Sequence, residues 1–359
     1  MSSPVKNKPK YFWQDKKKRR IIFIVLFILL NVVVIFLTAR AEFGNSRNAA
    51  EFSEIHISWW LLIPAVICFV VAINLEIHKY VIMMKAMSKD KFDYKKARSI
   101  ARRTVLLGKY YDNITPAAIG GQPFQIYYMR KHSGLTKGPS TSIPIFGMIA
   151  GQMAFIIIAL FCFIFGAYAI NNPVLFTTAW FGLLFFAFWP VMVLGITFLP
   201  KPTIKLINLI VEFFVKIKVI KNRNTALEKV DSEIKGYAKS IKLILNTKGL
   251  FLKTLLLSLG FNFFIVLIPF FVLAAFGGGI HFWVALTTTV AVMSAVYFIP
   301  TPGNSGAAEG TFFLVFSGLS SGYVFWAMLV WRFFSYYIYI IMGPIIYLIL
   351  HFEKKKNAE

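Results

Sequence analysis

The chain has 359 residues, 58% of them hydrophobic, and a mean hydropathy of +0.67. That excludes an ordinary soluble domain, and because the apolar runs are continuous rather than alternating it also excludes a transmembrane β-barrel. The formal charge of +24 would suggest nucleic acid in a soluble protein, but here the basic residues fall between apolar runs. They read as membrane topology and attraction to anionic headgroups, so no nucleic-acid partner is expected.

Residues 1–20 form a basic N-terminal segment with eight Lys/Arg against one acid, Asp15. The apolar run 21–38 follows without a convincing cleavage site and reads as a retained transmembrane helix. Further full spans are predicted at 58–84, 141–170, 174–199, 249–276 and 322–350. Trp59 and Trp60 suit an interfacial belt, and Glu76 and His78 are expected at the interfacial end of their span. Between the spans, 39–57 carries two basic and three acidic residues, 85–109 nine and two, and 200–248 eleven and four. The basic segments should be cytoplasmic. Both termini, including the tail 351–359, therefore lie inside, and 39–57 lies outside.

Two apolar regions, 100–130 and 281–319, fit poorly as simple spans. Counting each as a single crossing puts basic segments on the wrong side; counting each as a hairpin that enters and returns restores the charge pattern. The predicted fold is an all-α polytopic membrane protein with six full spans and two re-entrant hairpins of opposite orientation, in one transmembrane domain over 21–350. Thr-Pro followed by small residues recurs at Thr115 and Thr301, a pattern that admits an inverted repeat. Within 200–248, Leu227, Val230, Ile234, Tyr237, Ile241 and Ile244 recur at helical spacing. They mark an amphipathic helix, lying on the inner leaflet or packed on the protein.

The hairpins hold the candidate functional residues. In the second, Pro300 and Pro302 remove backbone donors, and Gly303 and Gly306 permit a tight turn. A carboxylate at membrane depth, Glu309, must be paired or face a cavity. Its expected partner is Arg332 of the last span, in a pair that either locks the hairpin or belongs to a substrate path; Arg332 could instead meet a lipid phosphate. In the first hairpin, Asn113, Thr115, Gln122 and Gln125 surround the turn residues Pro116, Gly120, Gly121 and Pro123, and Arg130 follows them. These polar side chains could line a headgroup path. Cys68 and Cys162 lie in apolar runs without metal-ligand spacing. No phosphate-binding loop or catalytic signature occurs, so no cofactor and no metal are expected.

The motifs "DNITPAAIGGQPFQIYYMR" (112–130), "PTPGNSGAAEGTFF" (300–313) and "WRFFSYYIYIIMG" (331–343) resemble those of the lysylphosphatidylglycerol synthase transmembrane family, the MprF-type flippase-like proteins. The matching positions are Asn113, Pro116, Gly120 and Gly121, then Pro300, Thr301, Pro302, Gly303, Gly306 and Glu309, then Arg332. Asn304 departs, standing where the family usually has Gly. The resemblance implies flipping of an anionic or aminoacylated phospholipid, such as phosphatidylglycerol or its lysyl ester, in a plasma membrane. It also carries the label phosphatidylglycerol lysyltransferase, although the cytosolic aminoacyl-transfer domain of two-domain members is not expected in a chain ending at Glu359. The partner is membrane phospholipid, with room for a separate lipid-modifying enzyme and a homo-oligomer. A structural or binding membrane protein is the third reading.

Overall fold

A computed structural model of the chain describes residues 57–88, 93–118, 120–170, 172–216, 249–319 and 323–356, with scattered positions in 29–40 and 223–247. Among these residues every regular element is helical. In chain order they are α1 (Trp59–Met87), α2 (Tyr94–Ile114), α3 (Gly121–His132), α4 (Lys137–Phe165), α5 (Pro173–Phe198), α6 (Pro200–Lys216), α7 (Leu250–Ala275), α8 (Phe282–Val296), α9 (Ala307–Ser317), α10 (Val324–Arg332) and α11 (Ile338–Lys356). A π-helical segment, Phe333–Tyr337, joins the last two into one long helix.

Five helices are long and apolar enough to cross a membrane: Trp59–Met87, Lys137–Phe165, Pro173–Gly195, Leu250–Ala275 and Val324–Leu350. They coincide with five of the six predicted spans; the sixth, 21–38, lies outside the described residues apart from isolated positions. Their outward surface is apolar, with Ile63, Ile67, Phe161, Ile164, Phe181, Leu184, Leu256 and Ile341 all exposed. Only lipid makes such a surface favourable. Pro64, Pro144, Pro190 and Pro269 sit inside these helices. Neighbouring helices can re-satisfy the backbone groups that each proline frees.

The bundle has two chemically distinct ends. At one, the Ser58 amide donates to the Ala275 carbonyl (2.9 Å) and the Tyr323 amide to that of Phe276 (3.2 Å). The start of α1, the end of α7 and the start of α10 therefore gather there. The connections at this end, 166–172, 276–281 and 318–323, contain no Lys, Arg, Asp or Glu. At the other end α2 runs antiparallel to α11: Arg103 pairs with Glu353, and the Tyr111 and Tyr347 hydroxyls hydrogen-bond at 2.6 Å. That end carries the basic residues of α2, α3 and the tail of α11. Trp59 and Trp60, largely exposed, mark the end opposite the basic one.

The two anomalous regions are helical hairpins, α2–α3 and α8–α9, and they enter the bundle from these opposite ends. Each is broken at its tip by a short 3-10 turn, Pro116–Ala118 in one and Pro302–Asn304 in the other, and the two turns pack against each other. The apolar core divides accordingly. One cluster surrounds α8 and α9 and includes Val266, Val290, Phe312, Phe316 and Trp331. The other surrounds α2 and α3 and includes Tyr80, Leu107, Met129, Phe146 and Tyr339. Of the predicted 200–248 stripe, Ile241 and Ile244 are buried in the second cluster, so this part packs on the protein. Val230, Ile234 and Tyr237 lie outside the described residues.

Candidate functional site

Where the hairpin tips meet, the chain brings together most of its intramembrane polarity. α8 ends at Val296, and the next ten residues are irregular but satisfied internally. The Thr301 hydroxyl donates to the Ser305 carbonyl (2.8 Å), and the amides of Asn304 and Ser305 donate to the carbonyls of Thr301 and Pro302 (both 3.1 Å). Gly303 (φ 57°) and Gly306 (φ 89°) occupy the left-handed region. Asn304, at φ 55°, follows Gly303 there, which Asn tolerates better than most residues. The departure from the family pattern is thus compatible with the turn.

Glu309 sits in the first turn of α9, 1% exposed, and Arg332 ends α10, 4% exposed. The two side chains paired from the sequence do meet: Arg332 Nε donates to Glu309 Oε1 at 2.7 Å. The other Glu309 oxygen accepts from the Gly306 amide at 2.7 Å, closing the N-terminus of α9 as the acid of a capping box does. Arg332 Nη2 reaches the Gly303 carbonyl (3.2 Å) and Ser305 Oγ (3.4 Å). Its guanidinium lies 4.4 Å over the Tyr336 ring. One arginine thereby holds α9, the tip turn and the π segment. A Cβ on Gly303 would stand 2.2 Å from the Tyr336 ring and 3.0 Å from Asn113 Oδ1. Tyr336 of the last span and Asn113 of the other hairpin close over this glycine.

The first tip is built differently. The Thr115 hydroxyl donates to the Tyr111 carbonyl (2.7 Å) and accepts from the Gly120 amide (2.9 Å), so it closes the turn rather than lining a path. Gly120 has right-handed backbone (φ −74°), contrary to a reading based on turn dihedrals. What demands glycine at 120 and 121 is space: added Cβ atoms would meet Thr115 at 2.6 Å and the Asp112 carboxylate at 2.1 Å. Asp112 Oδ1 accepts from the Gly121 amide at 3.0 Å. Gln125 is buried and accepts from the Tyr80 hydroxyl (3.0 Å), tying α3 to α1. Arg130 is exposed at the basic end, donating to Thr141 Oγ1. Of the sequence-predicted path residues, Glu309, Arg332 and Asn113 converge. Thr115 closes its own turn, Gln125 ties the hairpin to α1, and Arg130 stands apart.

Among the described residues, polar side-chain atoms without a hydrogen-bond partner occur on several elements. Gln122 Oε1 near the first tip and Ser335 Oγ and Tyr337 Oη of the π segment are in this condition, as are Thr288, Thr289 and Ser294 of α8 and Gln152 of α4. Such groups are costly in an apolar medium and call for water or a polar guest. Among the described residues no three His, Cys, Asp or Glu side chains gather as a metal site requires.

Three charged residues have partners that the sequence did not reveal: Glu76, Lys79 and Asp112. Glu76 is buried and paired with Lys79 at 2.7 Å. Lys79, 1% exposed, also donates to the Gly147 carbonyl and Ser258 Oγ (both 3.1 Å), joining α1, α4 and α7. The signal was Glu-x-x-Lys inside an apolar run, an i, i+3 pair that can leave water together. Asp112 was equally visible, at the head of a quoted motif.

The family model described as "Lysylphosphatidylglycerol synthase TM region" matches residues 21–343. The chain belongs to this family. The match takes in both hairpins, Glu309 and Arg332, and ends inside the last span. No curated protein and no solved structure matches the chain. Membership in the lysylphosphatidylglycerol synthase TM family makes this a membrane-embedded, lipid-related protein, consistent with contact to phospholipid.

Proposed function

We propose that the chain moves an anionic or aminoacylated phospholipid, such as phosphatidylglycerol or its lysyl ester, between the leaflets of a plasma membrane. In this reading the two hairpins are re-entrant, the basic end is cytoplasmic with both termini, and the headgroup crosses between the tips while the acyl chains stay in lipid. The observation that carries it is the meeting of two broken hairpins, from opposite ends, against the middle of the last span. Irregular backbone at membrane depth is tolerated only beside protein or a watery cavity, and transporters use it to build their sites. Glu309 and Arg332 supply fixed charges beside that meeting point, and the unpartnered Gln122, Ser335 and Tyr337 supply a polar lining.

The test is leaflet exchange of labelled phosphatidylglycerol and lysyl-phosphatidylglycerol in liposomes containing the full chain. Exchange above protein-free liposomes is expected, with a loss of tenfold or so in Glu309→Ala, the size of a transition worth about 1.4 kcal/mol. Equal exchange by the wild type and Glu309→Ala removes the tips from the path.

The family description favours a second reading, lipid aminoacylation, alone or with a separate enzyme. Purified chain with lysyl-tRNA and phosphatidylglycerol is expected to yield no lysyl lipid; product would establish the synthase activity instead.

A further inference from the structure

Away from the hairpin tips, the outer face of α1 and the start of α2 enclose a groove of about 430 Å³, within the range of ligand sites. Its long wall is apolar: Val70, Val71, Leu75, Ile77 and Val81. Polar groups are set among these residues: Asn74 and His78 of α1, and Tyr94 and Arg98 of the start of α2. Arg98 Nη2 donates to Asn74 Oδ1 at 2.9 Å, and Asn74 Nδ2 donates to the Val70 carbonyl at 2.8 Å. These bonds fix the guanidinium at the mouth of the groove, with further N–H groups directed elsewhere. Arg102, one turn further along α2, is exposed.

The dimensions and the order of chemistry match a lipid. From Ile63 to Asn74 the helix rises about 16 Å, close to half of a hydrocarbon core of about 30 Å. Over that length Ile63, Val66, Ile67 and Val70 present an exposed apolar stripe. Alkyl wall over one leaflet depth, followed by amide, imidazole, phenol and guanidinium, reproduces the sequence acyl chain, ester, phosphate. The charge at the polar end selects an anion.

We infer that this groove holds an anionic diacyl phospholipid of the leaflet at the basic end, as a resident lipid distinct from any lipid handled at the hairpin tips. One acyl chain lies along Ile63–Val70, and the phosphate sits at Arg98, beside His78 and Tyr94. The site depends on the membrane placement of α1 but not on what the tips do.

The test is native mass spectrometry of the full chain extracted from nanodiscs of equal phosphatidylglycerol and phosphatidylcholine. Wild type is expected to retain phosphatidylglycerol in preference. Arg98→Ala should lower that retention about fivefold, the effect of one basic side chain at an anionic surface. Val70→Trp, which fills the apolar wall and leaves every charge in place, should lower it comparably. Lys253→Ala, an exposed lysine at the same end but outside the groove, should change nothing. Equal retention of the two lipids, or equal losses in Arg98→Ala and Lys253→Ala, would overturn the assignment in favour of general surface attraction. Displacement of the lipid by millimolar inorganic phosphate would make this a small-anion site, also against the proposal. Wild type that retains no lipid would leave the groove to another part of the chain or a second copy, and the inference would fail.

Discussion

Glu309 and Arg332 show how a charge becomes tolerable in an apolar interior: every strong acceptor and donor is given a partner. The carboxylate takes a guanidinium and a backbone amide, and the guanidinium spreads over a carboxylate, a carbonyl, a hydroxyl and an aromatic face. Removing one partner strands the other, which typically costs about 3–5 kcal/mol, whereas removing both costs much less. Glu309→Gln and Arg332→Met are each expected to lower the unfolding free energy by roughly that amount in micelles. The double variant should recover a large part, and additive losses would show that the pair is not coupled. Arg332→Lys should not rescue, since a single ammonium cannot replace the planar fork. The glycines separate in the same way. Gly303→Ala places a side chain in left-handed backbone against Tyr336, so a loss of about 2 kcal/mol or more is expected in thermal unfolding. Gly310→Ala meets open space within α9 and should be neutral or stabilising by up to about 1 kcal/mol.

Among the elements, the five long helices were legible because twenty-odd apolar residues in sequence have few alternatives, and the hairpins because proline and glycine interrupt otherwise apolar runs. The Glu309–Arg332 contact was legible too, since two buried charges of opposite sign are expected to find each other. The use of the polar residues in the first hairpin was not. Thr115 and Gln125 both look like path-lining groups in sequence, yet which of them turns inward to satisfy backbone or a neighbouring helix depends on the rotation of α2 and α3 about their axes. Charge density along the chain does not encode that rotation. Lys79 illustrates a related failure: an isolated Lys near the end of a span normally snorkels to the interface, but here Glu76, the Gly147 carbonyl and Ser258 draw it inward. Lys79→Met is expected to loosen α1 from α4 and α7 and to cost about 3–5 kcal/mol by leaving Glu76 unpaired. Its thermal midpoint should rise again when Glu76→Gln is added.

Among the described residues the molecule has two apolar cores, one around each hairpin, with Glu309, Arg332 and Asn113 where the hairpin tips meet. Charge asymmetry assigns opposite ends of the bundle to opposite sides of the membrane, and that assignment is open to a direct check. In a chain with Cys68 and Cys162 replaced by Ala, single cysteines at Ser88 and at Gly279 should react with membrane-impermeant thiol reagents from opposite sides. Reaction of both from one side would contradict the opposed arrangement. Like the other long helices, the last span belongs to both cores: Met328 and Trp331 pack in the first, Tyr339 and Ile346 in the second. Between them lies the π segment, in effect one surplus residue inserted into an α-helix. It sets the angular phase between the halves, like the index tooth of a gear train. Deleting a single residue from 333–337 would restore plain α-geometry and turn everything from Ile338 onward by about 100°. Tyr347 would leave Tyr111, and Gly343 would leave the Tyr110 ring that now covers it. The span would still be long and apolar enough to cross, but its lower half would be out of step with the first hairpin.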